Sequence, residues 1–225
     1  NAYTSCGISD INVVTGFRSD SITTSNVRYF KNESYERTNM VESLFCAEEI
    51  LNGNIIISYG DIIFEKNVLK QLIQSNNDFS VIIDKNWKDY WSIRRKNPLV
   101  DLESLKLDSK GDIISIGQKV KKLEEIQGQY IGLMKFSNKA VNILKDFYHE
   151  CKKISKKKSN PLNANLPFEK SFMTDLLQGL INSNYQLRSV PIHGGWLELD
   201  TISDFEIYQR MFKNNIIQKF IKLEN

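Results

Sequence analysis

The stretch from residue 54 to residue 64 constrains the fold of this chain most. Its sequence is Asn-Ile-Ile-Ile-Ser-Tyr-Gly-Asp-Ile-Ile-Phe. The isoleucines predict a strand buried on both faces, because a sheet covered by helices on each side has no polar face with which to alternate. Gly60 ends this run, so Asp61 stands just past the carboxyl end of the strand, where open α/β sheets bind ligands. Asp61 is therefore a candidate metal ligand, although a Gly-Asp pair is also an ordinary polar turn.

The composition excludes several classes of protein. The 225 residues are 41% hydrophobic and 25% charged, with no Pro/Gly/Ser-rich linker, so we predict a single globular domain over residues 1–225. A net charge of +3 is too weak to indicate nucleic acid, and no apolar run approaches the ~20 residues of a membrane helix. The 3 widely spaced cysteines favour reduced thiols in a cytoplasmic protein. The oligomeric state is left open, with a homodimer among the options.

The order of the predicted elements indicates an α/β fold. Strands are predicted at residues 11–15, 27–30, 55–59 and 79–84, and helices between them at 40–51 and 66–74. This alternation is typical of a Rossmann-like, doubly wound, mainly parallel sheet. The second half adds a β-hairpin over residues 105–116 with Gly111 in its turn, a strand at 128–136 and one or more strands over 190–200. Helices are predicted at 140–153, 169–181 and about 203–220.

The helix predicted at 40–51 has an N-terminal signal. Asn39 precedes its apolar series, and Glu42 follows three residues later, as in a capping box. The backbone donors and positive dipole end of such a helix suit an anionic ligand, although most such asparagines are only caps. Two glycines, Gly128 and Gly132, in the strand at 128–136 indicate a close approach by a ligand or by another backbone segment.

An aromatic and basic cluster follows the strand at 79–84. Trp87, Tyr90 and Trp91 come just before Arg94 and Arg95. Aromatic faces attract ammonium groups and arginines hold phosphate or carboxylate, so this segment could receive a small zwitterion. Packing of the tryptophans against the sheet is the alternative interpretation.

Two further acidic residues complete a candidate site. Glu198 and Asp200 alternate with leucines, so on a strand both carboxylates face the same side. Together with Asp61 they would supply the oxygen ligands that hold Mg²⁺ beside substrate phosphates. Lys119 adds a positive charge for phosphate. Because the chain has only 2 histidines and no nucleophilic elbow, the chemistry that remains is phosphoryl or nucleotidyl transfer.

Five short motifs occur in the order found in the sugar-phosphate nucleotidyltransferase superfamily, and they are most similar to its cytidylyltransferase branch. They are Tyr35-x-x-Thr38-Asn39-x-x-x-Ser43-Leu44, Tyr59-Gly60-Asp61-Ile62, Gly117-x-Lys119, Gly128-Gln129-Tyr130-Ile131-Gly132 and Gly195-Trp196-Leu197-Glu198-Leu199-Asp200. The resemblance extends to about Met211. It implies CTP as the nucleotide donor and, as acceptor, a small phosphorylated amine such as phosphocholine, 2-aminoethylphosphonate or phosphoglutamine, for decoration of a capsule or surface polysaccharide.

The resemblance also implies roles for individual residues. Asp61 and Asp200 are expected to bind Mg²⁺, and Lys119 to contact a phosphate or phosphonate during catalysis. Nucleotide binding is expected of Asn39, Ser43, Tyr59 and Gly60, the first two near the base. The segment from Trp87 to Arg95 is expected over the acceptor pocket, with substrate contacts from Trp87, Tyr90, Trp91, Arg94, Tyr130 and Glu198.

The chain departs from the family pattern in one respect. Members open with a strand and a Gly-rich loop that holds the triphosphate, and residues of that kind would precede Asn1. We therefore expect an N-terminal stretch outside this sequence. A sugar-1-phosphate nucleotidyltransferase and a non-catalytic nucleotide-binding module are the alternative functions.

Overall fold

The chain divides into two compact units. The structure is a computed structural model that describes residues 2–94, 103–120 and 122–222. Unit 1 comprises Asn1–Gly7, Ile56–Phe136 and Gln186–Asn225, and unit 2 comprises Ile8–Ile55 and Ser137–Tyr185. The organisation of residues 1–225 as a single domain stays a prediction.

Ten strands and seven α-helices are described. The strands are β1 (Asn12–Thr15), β2 (Arg28–Lys31), β3 (Ile55–Ser58), β4 (Ile62–Phe64), β5 (Phe79–Asp84), β6 (Glu103–Leu107), β7 (Asp112–Lys119), β8 (Gln129–Phe136), β9 (Leu187–Ile192) and β10 (Trp196–Glu198). The helices are α1 (Ala2–Ser5), α2 (Met40–Phe45), α3 (Lys66–Gln74), α4 (Trp87–Arg94), α5 (Asn138–Ser155), α6 (Met173–Asn182) and α7 (Ile202–Lys213).

Unit 1 is built on a six-stranded mixed sheet with the order β3-β8-β5-β9-β7-β6. The α/β class with a β-hairpin insertion is confirmed, but the expectation of a mainly parallel sheet is met only in part. Strands β5 and β9 are parallel, whereas β8 runs antiparallel to β5 and β7 runs antiparallel to both β9 and β6. The β6–β7 hairpin accounts for one of these reversals, because a tight turn can join only antiparallel neighbours.

Strand β3, which was expected to be buried on both faces, is not a central strand of the sheet. Strand β3 lies at an edge of the six-stranded sheet, and all four of its residues are only half-buried. The fully buried strand is β5, whose six residues are all shielded from solvent. After the break at Gly60, the chain forms β4, which pairs antiparallel with β10. An isoleucine run alone does not separate an edge strand from a central one.

Helix α3 and strand β5 have the bounds predicted from the sequence, but several other helices begin or end at different residues. Helix α2 ends at Phe45, and α7 ends at Lys213, before Asn215 with its positive φ of 56°. The prediction of a capping box at α2 is wrong. Asn39 Oδ1 accepts a hydrogen bond from the Met40 N–H. The Glu42 carboxylate accepts hydrogen bonds from the side chains of Tyr148 and Lys152 instead.

Unit 2 has its own small core. Strands β1 and β2 form a parallel pair, and α2 contributes the buried residues Val41 and Phe45. The Phe45 ring stacks on the ring of Tyr148 in α5, with an interplanar angle of 7°. Unit 2 therefore has a core of its own, with two aromatic rings packed face to face.

The close approach of another backbone segment is found at Gly132 of β8, where Tyr59 contributes both its backbone and its ring. Gly132 has a φ of +80°, and a Cβ atom at this position would lie 2.5 Å from ring atoms of Tyr59. The backbone N–H of Tyr59 donates to the Gly132 carbonyl at 2.9 Å. Only a residue without a side chain lets the Tyr59 ring lie across β8.

We expect Gly132→Ala to destabilise the fold by about 1–3 kcal/mol more than Gly7→Ala, because it adds overpacking to backbone strain. Gly7 is a matched control, since its φ is +81° but no heavy atom lies within 4 Å of the position that a Cβ atom would take. Urea unfolding of both variants and the parent protein measures the difference. Equal losses would show that the Tyr59 contact is not a steric constraint.

Candidate active site

The pairing of β4 with β10 brings Asp61 and Asp200 onto neighbouring backbone segments. In this pair Glu198 lies opposite Ile62. The pairing continues one residue beyond the strands, where the Leu199 N–H donates to the Asp61 carbonyl at 2.7 Å. Two acidic residues far apart in sequence are therefore close neighbours in unit 1.

The carboxylates of this region share one electrostatic environment. Burial raises the pKa of Asp61, and the negative charge of Asp200 raises it further. Burial also raises the pKa of Glu198, with smaller increases from Asp61 and Asp200, while the Arg94 guanidinium opposes the shift. These three residues lie on or directly beside the paired strands β4 and β10. We call Asp61, Glu198 and Asp200 the acidic cluster.

The buried Arg94 side chain organises this cluster. Its Nε and Nη2 atoms donate to the two carboxylate oxygens of Asp204 at 2.9 and 3.0 Å, and its Nη1 donates to Glu198. Asp204 Oδ2 in turn accepts the backbone N–H groups of Asp200 at 3.2 Å and Thr201 at 2.9 Å. Although burial acts to raise it, the bonds from Arg94 and Thr201 hold the pKa of Asp204 at about 2. Arg94 thus fixes the backbone that carries Asp200.

Two tyrosines fix the end of β10 next to the cluster. The Tyr90 hydroxyl accepts the Glu198 N–H at 2.7 Å, and the Tyr208 hydroxyl donates to the Glu198 carbonyl at 2.7 Å. The two hydroxyls also lie 2.7 Å apart. Because Tyr208 uses its proton on the carbonyl, Tyr90 is the donor in that contact. Both backbone polar groups of Glu198 therefore have partners.

The aromatic segment predicted to contact the acceptor packs inside unit 1. Trp87, Tyr90 and Trp91 are buried members of its hydrophobic core, on helix α4. The Arg94 guanidinium lies over the rings of Tyr90 and Trp91, 5.2 Å from each centroid. This is the core-packing alternative, and contact of these four side chains with an acceptor stays a prediction. Arg95 lies outside the described residues.

A tyrosine pair adjoins the acidic cluster. The rings of Tyr59 and Tyr130 meet edge to face with centroids 5.7 Å apart. Burial raises the pKa of Tyr59, and the charges of Glu103, Asp61 and Glu198 contribute smaller increases. Glu103 carries no motif, and no sequence signal pointed to it. Glu103 begins β6, where it lies opposite Lys119 of β7.

The other predicted residues have the following places in the described structure. Lys119 is exposed at the end of β7. Gly60 lies between β3 and β4 with open space where a side chain would project. Asn39 and Ser43 belong to unit 2, where Asn39 caps α2 and the Ser43 hydroxyl accepts a bond from the Asn32 amide at 2.9 Å. Their contact with a nucleotide stays a prediction.

The donor set of the acidic cluster is compatible with Mg²⁺. Over residues 2–94, 103–120 and 122–222, no group of three or more His, Cys, Asp or Glu side chains has the arrangement of a metal cage. Magnesium seldom uses such a cage; it is bound by one or two carboxylates, with waters and substrate phosphates as its other ligands. Asp61 and Asp200 match that smaller requirement, since Glu198 is already bonded to Arg94.

Comparison with known proteins decides the family. No family model matches the chain. It is 36% identical over 217 residues to the CTP:phosphoglutamine cytidylyltransferase of Campylobacter jejuni, with 92% of this chain and 83% of the relative covered. The chain belongs to the cytidylyltransferases. The enzyme is thus a nucleotidyltransferase of the sugar-phosphate nucleotidyltransferase superfamily.

Solved structures agree on the fold of the enzyme. It matches the inositol-1-phosphate CTP transferase from T. maritima with a TM-score of 0.65 at 14% identity, covering 99% of this chain and 82% of the other. The CTP:phosphocholine cytidylyltransferase from Streptococcus pneumoniae gives 0.63 at 13% identity, covering 94% and 82%. At these identities the likeness concerns the fold alone. Among the described residues, no helix combines the length and apolar character needed to cross a membrane.

We expect Arg94→Met to lower the free energy of unfolding by about 3–5 kcal/mol, because it leaves the buried carboxylate of Asp204 without its counter-ion. Arg94→Lys should lose less, since it keeps the charge but not the two-pronged geometry. Arg37→Met, at an exposed arginine, is the control and should change stability by less than about 0.5 kcal/mol. Denaturant unfolding provides the measurement, and equal effects at positions 94 and 37 would contradict the proposed role of the pair.

Proposed function

We propose that this enzyme transfers CMP from CTP to a small amine-bearing phosphate or phosphonate, with release of pyrophosphate and with Mg²⁺ as cofactor. The observation that carries the proposal is the acidic cluster held by Arg94 in a chain 36% identical to a CTP:phosphoglutamine cytidylyltransferase. Phosphoglutamine is the first acceptor to test, and phosphocholine and 2-aminoethylphosphonate follow. The biological role we propose is decoration of a capsule or surface polysaccharide by a cytoplasmic enzyme, with its 3 cysteines as free thiols.

The reaction needs no protein group to remove a proton. An acceptor oxygen attacks the α-phosphorus of CTP, a new P–O bond forms, and the bond to the pyrophosphate oxygen breaks. A phosphate monoester loses its second proton with a pKa near 6, so the attacking oxygen already carries charge at neutral pH. The chain has only 2 histidines, which agrees with this scheme.

The chain's own residues would orient the reactants. Asp61 and Asp200 would hold Mg²⁺, which when bound supplies charge neutralisation at the phosphate oxygens. Arg94 and Asp204 keep the Asp200 backbone in place before any ligand arrives, so the site needs no reorganisation during reaction. Lys119 would add positive charge on the substrate phosphates.

Replacement of the metal ligands tests the site. We expect Asp61→Asn and Asp200→Asn in the full-length enzyme to reduce pyrophosphate release at least about 100-fold, because each removes a charged ligand. Glu206→Gln, at an exposed carboxylate on α7, should keep near-parental turnover. Binding of Mn²⁺, followed by electron paramagnetic resonance, should weaken in the two aspartate variants only. Full magnesium-dependent turnover in both would overturn the assignment.

An acceptor screen tests the substrate class. Phosphoglutamine, phosphocholine, 2-aminoethylphosphonate and glucose 1-phosphate are each offered with CTP and with UTP, and pyrophosphate is measured. We expect CTP with an amine-bearing acceptor to exceed every sugar phosphate by about 100-fold or more in kcat/KM, because a site with buried polar groups rejects a substrate that leaves them unpaired. Preference for glucose 1-phosphate would favour the sugar-1-phosphate alternative. CTP binding by calorimetry without turnover would indicate a non-catalytic module.

A further inference from the structure

Helix α7 presents large apolar side chains to solvent. Ile202, Phe205 and Phe212 are 80%, 51% and 62% exposed, although the opposite side of the same helix buries Tyr208 and Met211. With Gln209, the exposed residues recur at intervals of three and four, so they lie along one side of the helix. We call Ile202, Phe205, Gln209 and Phe212 the outer stripe. Contiguous exposed apolar surface of this kind marks an interaction site.

Two charged residues border the outer stripe. Glu206 and Lys213 are both exposed and lie one heptad apart on the same flank of α7. In paired helices, positions at heptad spacing beside an apolar seam form ion pairs between the chains. One acidic and one basic residue at these places favour a partner with the opposite order of charges.

The outer stripe and its charges are centred on Gln209 to within half a residue. Phe205 lies four residues before Gln209 and Phe212 three residues after it, while Glu206 lies three before and Lys213 four after. A two-fold axis through Gln209 would place Phe205 against Phe212 of the partner subunit, and Glu206 against Lys213 of the partner subunit. An isologous interface requires this kind of self-complementary surface.

We propose that the outer stripe is a homodimer interface in which α7 packs antiparallel against α7 of a second copy of the chain. Ile216, 39% exposed just past the helix, extends the apolar surface on the side where Ile202 of the partner subunit would lie. The second copy accounts for the apolar pattern and the charge pattern together.

The interface is small, so the dimer is reversible. Helix α7 has 12 residues and is about 18 Å long, which limits the contact to the low end of the range for specific interfaces. We therefore expect a monomer–dimer equilibrium with a dissociation constant in the micromolar range.

Sedimentation velocity across the micromolar range, with the full-length enzyme, tests the dimer. Phe212→Gln should weaken dimerisation about 10-fold or more, because a central aromatic residue is lost from the interface. Phe17→Gln is the matched control: Phe17 is 70% exposed but lies outside α7, so dimerisation should not change. A monomer at every concentration, or a dimer unaffected by Phe212→Gln, would overturn the proposal.

Charge reversal tests the orientation of the two helices. Glu206→Lys and Lys213→Glu should each weaken the dimer several-fold, since each places like charges in contact, and the double variant should restore it. Failure of the double variant to recover would exclude the antiparallel register.

Disulfide formation locates the two-fold axis. In a Cys46→Ser background, which removes an exposed thiol, Gln209→Cys should form a dimer-linking disulfide on oxidation. Ser203→Cys should not, because the two copies of that residue would lie about 18 Å apart along the helix axis. Cross-linking at position 203 in preference to 209 would contradict the register, and a monomer that floats with anionic vesicles would reassign the stripe to membranes.

Discussion

The buried ion pair of Arg94 and Asp204 is the interaction on which the candidate site depends. Moving both charges out of water is costly, and the hydrogen bonds made by Arg94 and Asp204 offset that cost. Arg94 bonds Asp204 and Glu198, and Asp204 also accepts the backbone of Asp200 and Thr201. One guanidinium therefore connects α4, β10 and the start of α7. Its main effect is geometric, because it sets where the Asp200 backbone lies before any ligand binds.

The convergence of Asp61 and Asp200 could be anticipated from sequence, but the network that holds them could not. A strand followed by Gly-Asp, and carboxylates alternating with leucines, are local signals for the edge of a sheet. Arg94 follows a cluster of aromatic residues in the sequence, but this context fits a ligand pocket and a packed helix equally well. Only the tertiary partner, Asp204, decides between them. A signal for Asp204 was present, since Thr201 and Asp204 have capping-box spacing and do form one.

The fold was predictable where the signal is local and not where it depends on distant pairing. Periodicity suffices for α3 and β5, whose amphipathic face and apolar run are unambiguous. The directions of the strands beside β5 were not predictable in this way. Strand β8 runs antiparallel to β5 and β9 runs parallel to it, and nothing within either strand specifies its direction. The same holds for β3, where three isoleucines occupy a sheet edge. Sheet order is set by loop lengths and long-range packing, which a local pattern does not contain.

The charge of the site bears on the order in which substrates bind under the proposed function. Four carboxylates, those of Asp61, Glu198, Asp200 and Asp204, lie in this part of unit 1, and Arg94 forms ion pairs with Glu198 and Asp204. Burial is the main cause of the raised pKa values of Asp61 and Glu198, and the neighbouring negative charges add to it. Such a field repels a bare triphosphate and attracts a divalent cation. It also attracts the ammonium group of an amine-bearing acceptor, which a sugar phosphate lacks. The nucleotide would therefore enter together with its metal ion, and the acceptor would be selected by the end of the molecule opposite to its reacting phosphate.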